Sequence, residues 1–341
     1  MSSAVIFGGC GFIGLYFAEE AINQKLYNIV YLVDIKEPDD DFCKLKYEKI
    51  LKTGKAKFFK RDIRVNLNDI PISEPVEIIL NFAAIHREPG HLDSEYFETN
   101  IEGAKNICNF ADYFKCKNIV FTSSISVYGI GDHEKTESTP AVPTTPYGKS
   151  KLASEKIHIS WQNSNTENRI LSICRSGVVF GAGEKGNVTR LIKIIKKRLF
   201  FYMGNKNLTK AGIYVKELVR ILIWVNQKQS SKKISNLALY NTSLFPCPTL
   251  ESFSTNISKT LNISSKFFTI PYIFVRFALF ISYFILNNLG KNNNLHYMRL
   301  KKLFRSNNVK PSFLLNKEYP FKYNLGSSLD DWKKSNPSDW T

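Results

Sequence analysis

Short apolar runs alternate with longer stretches of helical period over roughly the first half of the chain. Ala4-Val5-Ile6-Phe7, Ile29-Val30-Tyr31-Leu32-Val33, Lys55 to Arg61, Glu77 to Ala84, Ile119-Val120-Phe121 and Ile170 to Cys174 are each short enough for a strand. The runs among them that are apolar throughout or nearly so, such as Ala4 to Phe7 and Ile170 to Cys174, fit strands buried on both faces, as in a parallel sheet. Leu15, Ala18 and Ile22 repeat at helical spacing after the first run, predicting a crossover helix. Beyond Cys174 the alternation loses regularity. Val178 to Gly183 leads into a loop containing Asn187, and Ile213 to Leu218 and Asn236 to Leu239 read as short strands or strand–helix junctions.

The first junction carries a glycine cluster, Gly8-Gly9-Cys10-Gly11-Phe12-Ile13-Gly14. Set between a strand and a helix, it permits a tight turn, close approach of backbone to a pyrophosphate and close helix–strand packing. The helix start at Phe12 and Ile13 then presents free N–H groups to phosphate. Asp34, at the end of the second run, stands at the spacing expected for a carboxylate accepting the adenosine ribose hydroxyls. It would repel a 2′-phosphate, which favours NAD over NADP; Lys36 nearby weighs the other way. Asp62, followed by Ile63, is a candidate for the adenine amino group, or a surface acid paired with Arg61. Ala83 and Ala84 are small where a cofactor would pass closely. In the loop that follows, His86 and Arg87 are candidates for phosphate or substrate contact, or belong to a polar surface where Glu88 pairs with Arg87. Asn100 falls on a helix with Gly103 and Ala104 on its packing face, and is counted with the cofactor set.

The expected fold is α/β, a Rossmann-type doubly wound parallel sheet with a smaller, mixed C-terminal substrate-binding region. Residues 1–180 would form the dinucleotide-binding domain, with later sheet elements near 208–240, and 181–207 with 241–341 the substrate region.

The strongest chemical signal lies between Thr122 and Lys151. Thr122-Ser123-Ser124 follows an apolar run, and Tyr147 and Lys151 are spaced i and i+4, on one helix face. A phenol has a reference pKa of about 10 and is a poor acid or base at neutral pH. An adjacent ammonium favours the phenolate. With Ser124 holding a substrate oxygen beside it, the set is a proton-transfer device for alcohol and carbonyl chemistry.

Charge alters the picture moderately. The net +17 suggests acidic partners. No zinc-finger, RNP or basic-zipper pattern is present, so the charge reads as solvated surface with a local contribution to holding phosphates, not as a nucleic-acid face. Six scattered cysteines lack metal-ligand spacing, no metal is expected, and no signal-peptide pattern precedes the first strand; a reducing cytoplasm is the expected compartment. Phe267 to Leu289 is very apolar but interrupted by Pro271 and Arg276. It reads as a helix buried in the C-terminal region or lying on a membrane surface, with basic Lys301, Lys302 and Arg305 after it.

Taken together, the glycine cluster, Asp34, Asp62-Ile63, Asn81 to Ala84, Thr122 to Ser124, Val127-Tyr128-Gly129 and Tyr147-x-x-x-Lys151 resemble the extended short-chain dehydrogenase/reductase family, and its nucleotide-sugar epimerase and dehydratase branch. The resemblance implies Tyr147 as acid/base, Lys151 on the nicotinamide ribose, and Ser124, with Ser126, on the sugar oxygen. It implies sugar and diphosphate contacts at Asn187 and Lys210, a nucleotide-diphosphate sugar as substrate, and a homodimer. Dehydratases of the branch carry an Asp-Glu pair after the strand hydroxyl; here Ile125-Ser126 stands there, which disfavours elimination. The expected activity is an NAD-dependent nucleotide-sugar 4-epimerase for surface-polysaccharide synthesis. A nucleotide-4-keto-sugar reductase is the close alternative, and a hydroxysteroid-type dehydrogenase or a non-catalytic dinucleotide-binding protein are further ones.

Overall fold

Alternate residues of the first strand, β1 (Ser3–Phe7), sort onto opposite sides of a sheet: Ala4 and Ile6 join one core cluster, Val5 and Phe7 the other. That is the period of two expected of a strand buried on both faces. The protein was studied as a computed structural model, which describes residues 2–86, 90–271, 273–274 and 305–341.

The strands that follow are β2 (Ile29–Asp34), β3 (Ala56–Lys60), β4 (Val76–Asn81), β5 (Asn118–Ser124) and β6 (Ile170–Ser176). After them come β7 (Val178–Phe180), β8 (Tyr202–Met203), β9 (Gly212–Tyr214), β10 (Leu237–Thr242) and β11 (Thr269–Ile270). Among the described residues, a seven-stranded sheet has the order β10-β6-β5-β4-β1-β2-β3, and all its pairings are parallel. The chain winds one way from β1 to β3 and the other way from β4 onward. The crevice between the C-terminal ends of β1 and β4 is therefore the switch point, where an open α/β sheet binds its ligand.

Helices cover both faces. α1 (Phe12–Asn23) and α2 (Asp41–Lys52) precede α3 (Asp93–Tyr113) and α4 (Pro146–Asn163), and α5 (Asn187–Lys196), α6 (Val215–Ser230) and α7 (Leu250–Leu261) follow. The α4 start is encoded locally: Thr145 Oγ1 accepts the Gly148 amide at 3.1 Å, and Pro146 opens the helix. Glu217 of α6 is fully buried and accepts from the Tyr319 hydroxyl at 2.7 Å and the Tyr323 amide at 3.0 Å, tying the C-terminal segment to the sheet domain.

Three local expectations change. β4 stops at Asn81, because Ala83 lies against the glycine turn rather than beside another strand. Asn187 opens α5 instead of lying in a loop. Val178–Phe180 pairs with Gly212–Tyr214 in a separate two-stranded sheet. In the apolar stretch beginning at Phe267, Thr269–Ile270 forms strand β11, paired with β8. Apart from residues 267–271, 273 and 274, the expectation of a helix there lies outside the described residues, as do Lys301 and Lys302. Among the described residues, no helix is long and apolar enough to cross a membrane.

Candidate active site

At the switch point the backbone closes too tightly for side chains. A Cβ on Gly8 would stand 2.6 Å from the Ala83 amide nitrogen, and Gly8 has φ +77°. One on Gly14 would stand 2.4 Å from the Gly8 carbonyl oxygen. Only glycine fits both positions. Gly11 is the N-cap of α1 and supplies no capping side chain, so the first turn at Phe12 and Ile13 offers its N–H groups to an anion. Asp34 closes the mouth of the turn: its carboxylate accepts the Cys10 amide at 3.1 Å and the Ile35 amide at 2.8 Å. Burial raises its pKa and those two amides oppose the rise. The cradle fits the pyrophosphate of a dinucleotide, with the Asp34 carboxylate at its edge.

Asp62 pairs with Arg64, not with Arg61: Arg64 Nη2 donates to it at 2.6 Å, and these bonds lower the carboxyl pKa. Arg61 pairs with Asp69 at 3.0 Å. Ile63 is buried against α3, where a Cβ on Gly103 would lie 2.2 Å from its Cδ1. Asn100, 4% exposed, is a fastener. Its side chain accepts the Ile85 amide at 3.0 Å and donates to Ser150 Oγ at 2.8 Å, joining the loop after β4 to α3 and α4.

On the other side of the crevice, Ser124 ends β5 and caps the 3-10 turn Ile125–Tyr128. Its Oγ accepts the Ser126 amide at 3.2 Å and donates to Ser126 Oγ at 3.1 Å. The α4 helix lies directly on this turn, since a Cβ on Gly148 would meet the Ser126 carbonyl oxygen at 2.5 Å. That contact holds the first turn of α4, which carries half-buried Tyr147, against the Ser126 backbone, and the Tyr147 ring lies 6.2 Å from that of Tyr96. One turn on, Lys151 is 2% exposed, with Nζ 4.3 Å from the Phe121 ring centroid. Burial drives its pKa down to about 7, against the opposing pull of Glu155. The fall from 10.5 corresponds to roughly 5 kcal/mol against the charged form, more than the ~2 kcal/mol that a desolvated cation–π contact contributes.

Beneath these residues lies a polar network that sequence reasoning missed. Glu155 and Arg175 form a two-point ion pair at 2.9 and 2.7 Å, with Glu155 1% and Arg175 6% exposed. Ser123 Oγ donates to the same carboxylate. The Arg175 guanidinium stacks 4.9 Å from the Tyr128 ring centroid, and the Tyr128 hydroxyl donates to Asn241 at 2.7 Å. His158, fully buried, stacks on Phe121 at 4.4 Å. Its Nδ1 lies 2.7 Å from the Ser154 carbonyl and its Nε2 3.3 Å from Asn81 Nδ2, so Nδ1 carries the proton. The signal was present in the spacing: Glu155 and His158 follow Lys151 by four and seven residues, on one face of α4.

The candidate substrate residues are more dispersed. His86 is exposed after β4, Asn187 is exposed at the start of α5, and Arg87 lies outside the described residues. Lys210 is stitched to the C-terminal segment: its amide donates to the Pro248 carbonyl at 2.8 Å and its Nζ to the Arg305 carbonyl at 2.7 Å. Burial pushes its pKa down to about 8. Among the described residues, no group of His, Cys, Asp and Glu is arranged to hold a metal ion.

The model of the NAD dependent epimerase/dehydratase family matches residues 4–238, more than half of the chain. The chain belongs to that family. Its Rossmann-type sheet, glycine cradle and Ser-Tyr-Lys set are those expected of an NAD-dependent epimerase or oxidoreductase of the extended short-chain type. Family relatives include the N-acetyl-alpha-D-glucosaminyl-diphospho-ditrans,octacis-undecaprenol 4-epimerase of Escherichia coli O157:H7, 27% identical over 258 residues, 74% of this chain and 76% of that protein. The UDP-glucose 4-epimerase of Bacillus subtilis is 26% identical over 238 residues, 64% of this chain and 69% of that protein. The fold matches the crystal structure of UDP-glucuronic acid 4-epimerase from Bacillus cereus in complex with NAD, with a TM-score of 0.76, 16% identity, and 99% and 100% of the two chains covered.

Proposed function

We propose that the protein is an NAD-dependent nucleotide-sugar 4-epimerase serving surface-polysaccharide synthesis. The observation that carries this reading is the pairing of Ser124, Tyr147 and Lys151 with Ile125-Ser126, and no carboxylate pair, directly after Ser124. Ile125 and Ser126 form the turn after Ser124, and the carboxylate nearest in sequence on α4, Glu155, is locked by Arg175 and Ser123. A dehydration needs an acid and a base at the sugar; these residues supply neither.

NAD supplies the hydride acceptor and donor for C4. When it is bound, Gly8, Gly11, Phe12, Ile13 and Gly14 would hold its pyrophosphate, Asp34 its adenosine ribose, and Asp62 and Ile63 its adenine side, and Ala83 and Ala84 would leave room for its passage. Asn100 contributes by fastening the loop that frames it. Ser124 and Ser126 orient the C4 oxygen and Tyr147 removes the hydroxyl proton. Lys151 would bind the nicotinamide ribose, and in its protonated form it favours the phenolate electrostatically. The ketone turns its other face, and Tyr147 returns the proton to the C4 oxygen as the C–H bond re-forms. His86, Arg87, Asn187 and Lys210 are assigned to the sugar and diphosphate. The working form is assigned as a cytoplasmic homodimer.

A second reading has its own support. The Escherichia coli relative is named for a sugar carried on undecaprenyl diphosphate, so the diphosphate here has either a nucleoside or a polyprenol beyond it. Turnover in D2O tests the chemistry in either case. Epimerisation by hydride return leaves hydrogen at C4 and C5, whereas elimination across C5 and C6 exchanges the C5 hydrogen for deuterium and refutes the epimerase.

A further inference from the structure

The basic charge of this chain is not spread evenly along its sequence. Residues 185–216 carry nine lysines and arginines and no acid, and residues 252–317 carry ten and no acid. Those nineteen positive charges exceed the whole net charge of +17, so the rest of the chain is slightly acidic. The Rossmann crevice does not account for the asymmetry, because its glycine turn and Asp34 lie in the near-neutral part.

Within the described part of these stretches, the charge borders exposed apolar side chains. α5 buries Val188, Ile192 and Ile195 and exposes Arg190, Lys193, Ile194 and Lys196, followed by exposed Lys197, Arg198 and Leu199. β8 then pairs with β11, the Tyr202 amide donating to the Phe268 carbonyl at 2.8 Å. Phe200 and Phe267 lock this edge with ring centroids 4.9 Å apart. Beside that packed pair the neighbours point outward: Leu199 is 66%, Phe201 41%, Phe268 85% and Phe274 64% exposed. Scattered exposed apolar residues are ordinary, but a set joined by one strand pair and bordered by five cations marks an interaction surface.

We infer that the edge formed by the end of α5, β8 and β11 docks onto a membrane surface bearing anionic lipid. Lysines and arginines next to the headgroups gain from the negative surface potential, while Leu199, Phe201 and Phe268 enter the boundary between headgroups and acyl chains. A protein or nucleic-acid partner fits less well. A polyanion leaves the protruding phenylalanines in water, and a folded apolar partner has no use for the cations. The inference does not depend on which sugar is turned over.

Sedimentation of the full-length chain with vesicles tests it. Vesicles of phosphatidylcholine with 30% phosphatidylglycerol carry the protein down at about 0.1 M salt; vesicles of phosphatidylcholine alone do not. Each cation removed near the surface weakens binding about fivefold, so Lys196→Gln, Lys197→Gln, Arg198→Gln together lose on the order of a hundredfold. Phe201→Ser with Phe268→Ser weakens binding to the anionic vesicles at the same salt by about tenfold or more, because the apolar area that enters the headgroup boundary is lost. Unchanged NAD binding by these variants shows that they fold. Failure of the wild type to sediment with anionic vesicles overturns the inference. Sedimentation that these substitutions leave unchanged does the same, and so does binding to duplex DNA without binding to vesicles. None of those outcomes bears on the epimerase chemistry, which is assayed separately.

Discussion

Glu155 and Arg175 hold each other at two points in the interior, twenty residues apart in sequence, and tie the acid/base helix to the strand beside Ser124. The register of β5 and β6 sets Ser123 opposite Arg175 and Ser124 opposite Ser176. One carboxylate therefore ties α4 to the end of the strand that carries Ser124. Breaking such a pair leaves an uncompensated buried charge, which costs about 3–5 kcal/mol. Glu155→Gln is expected to lose stability of that order in urea denaturation. Replacing Glu155 and Arg175 together by methionine is expected to lose less than either single change.

Lys151 couples function to a stability penalty. Its pKa in the folded protein is about 7, against 10.5 in the unfolded chain. Between those values the unfolded chain binds more protons, so the penalty is complete below pH 7 and fades as pH rises toward 10. Lys151→Met is expected to stabilise the protein by a few kcal/mol at pH 6 and by much less at pH 9.5, while abolishing turnover. Thermal denaturation at the two pH values, with activity measured alongside, checks both halves.

His158 pulls the same way in acid. Burial lowers its pKa to about 4 against 6.5 in the free side chain, so it stays neutral in the fold. Stability contributed by the neutral ring is complete above about pH 6.5 and falls as pH drops toward 4. His158→Gln is expected to flatten that part of the pH–stability curve, read by urea midpoints between pH 7 and 4.5.

Asp34 is expected to set cofactor choice. Asp34→Ser removes a charge-assisted acceptor and a repulsive charge, lowering NAD affinity about ten- to a hundredfold and raising NADP affinity. Fluorescence titration with both nucleotides reads the ratio; equal losses for the two would remove Asp34 from the ribose.

Gly148 lets the first turn of α4, which carries Tyr147, close onto the Ser126 backbone. A methyl group would meet the Ser126 carbonyl oxygen at 2.5 Å and force α4 away from the turn. Gly148→Ala is expected to lower kcat by about tenfold or more with little change in KM, since misplacement of a proton-transfer group acts on the chemical step.

The local part of this architecture was legible in sequence because its determinants are local. The run Ala4 to Phe7, the glycine cluster, Asp34 and the Tyr147–Lys151 spacing each declare themselves within a few residues. Long-range pairings were not. Nothing near Asp62 says that its carboxylate turns to Arg64 rather than Arg61, since both flank it at short range. Glu155 and Arg175 meet only through the register of two parallel strands under a helix. Lys210 shows the same limit: its partners, Pro248 and Arg305, come from distant segments.

The most direct measurement is NMR of the purified protein with UDP- and dTDP-sugars and no added nicotinamide nucleotide. Appearance of the C4 epimer is expected, because an epimerase regenerates its cofactor within each cycle. Tyr147→Phe in the same tube is expected to slow it by about 10²–10⁴-fold. No epimer, with a 4-keto sugar consumed only as NADH is supplied in equal amount, would contradict the epimerase and make the protein a reductase.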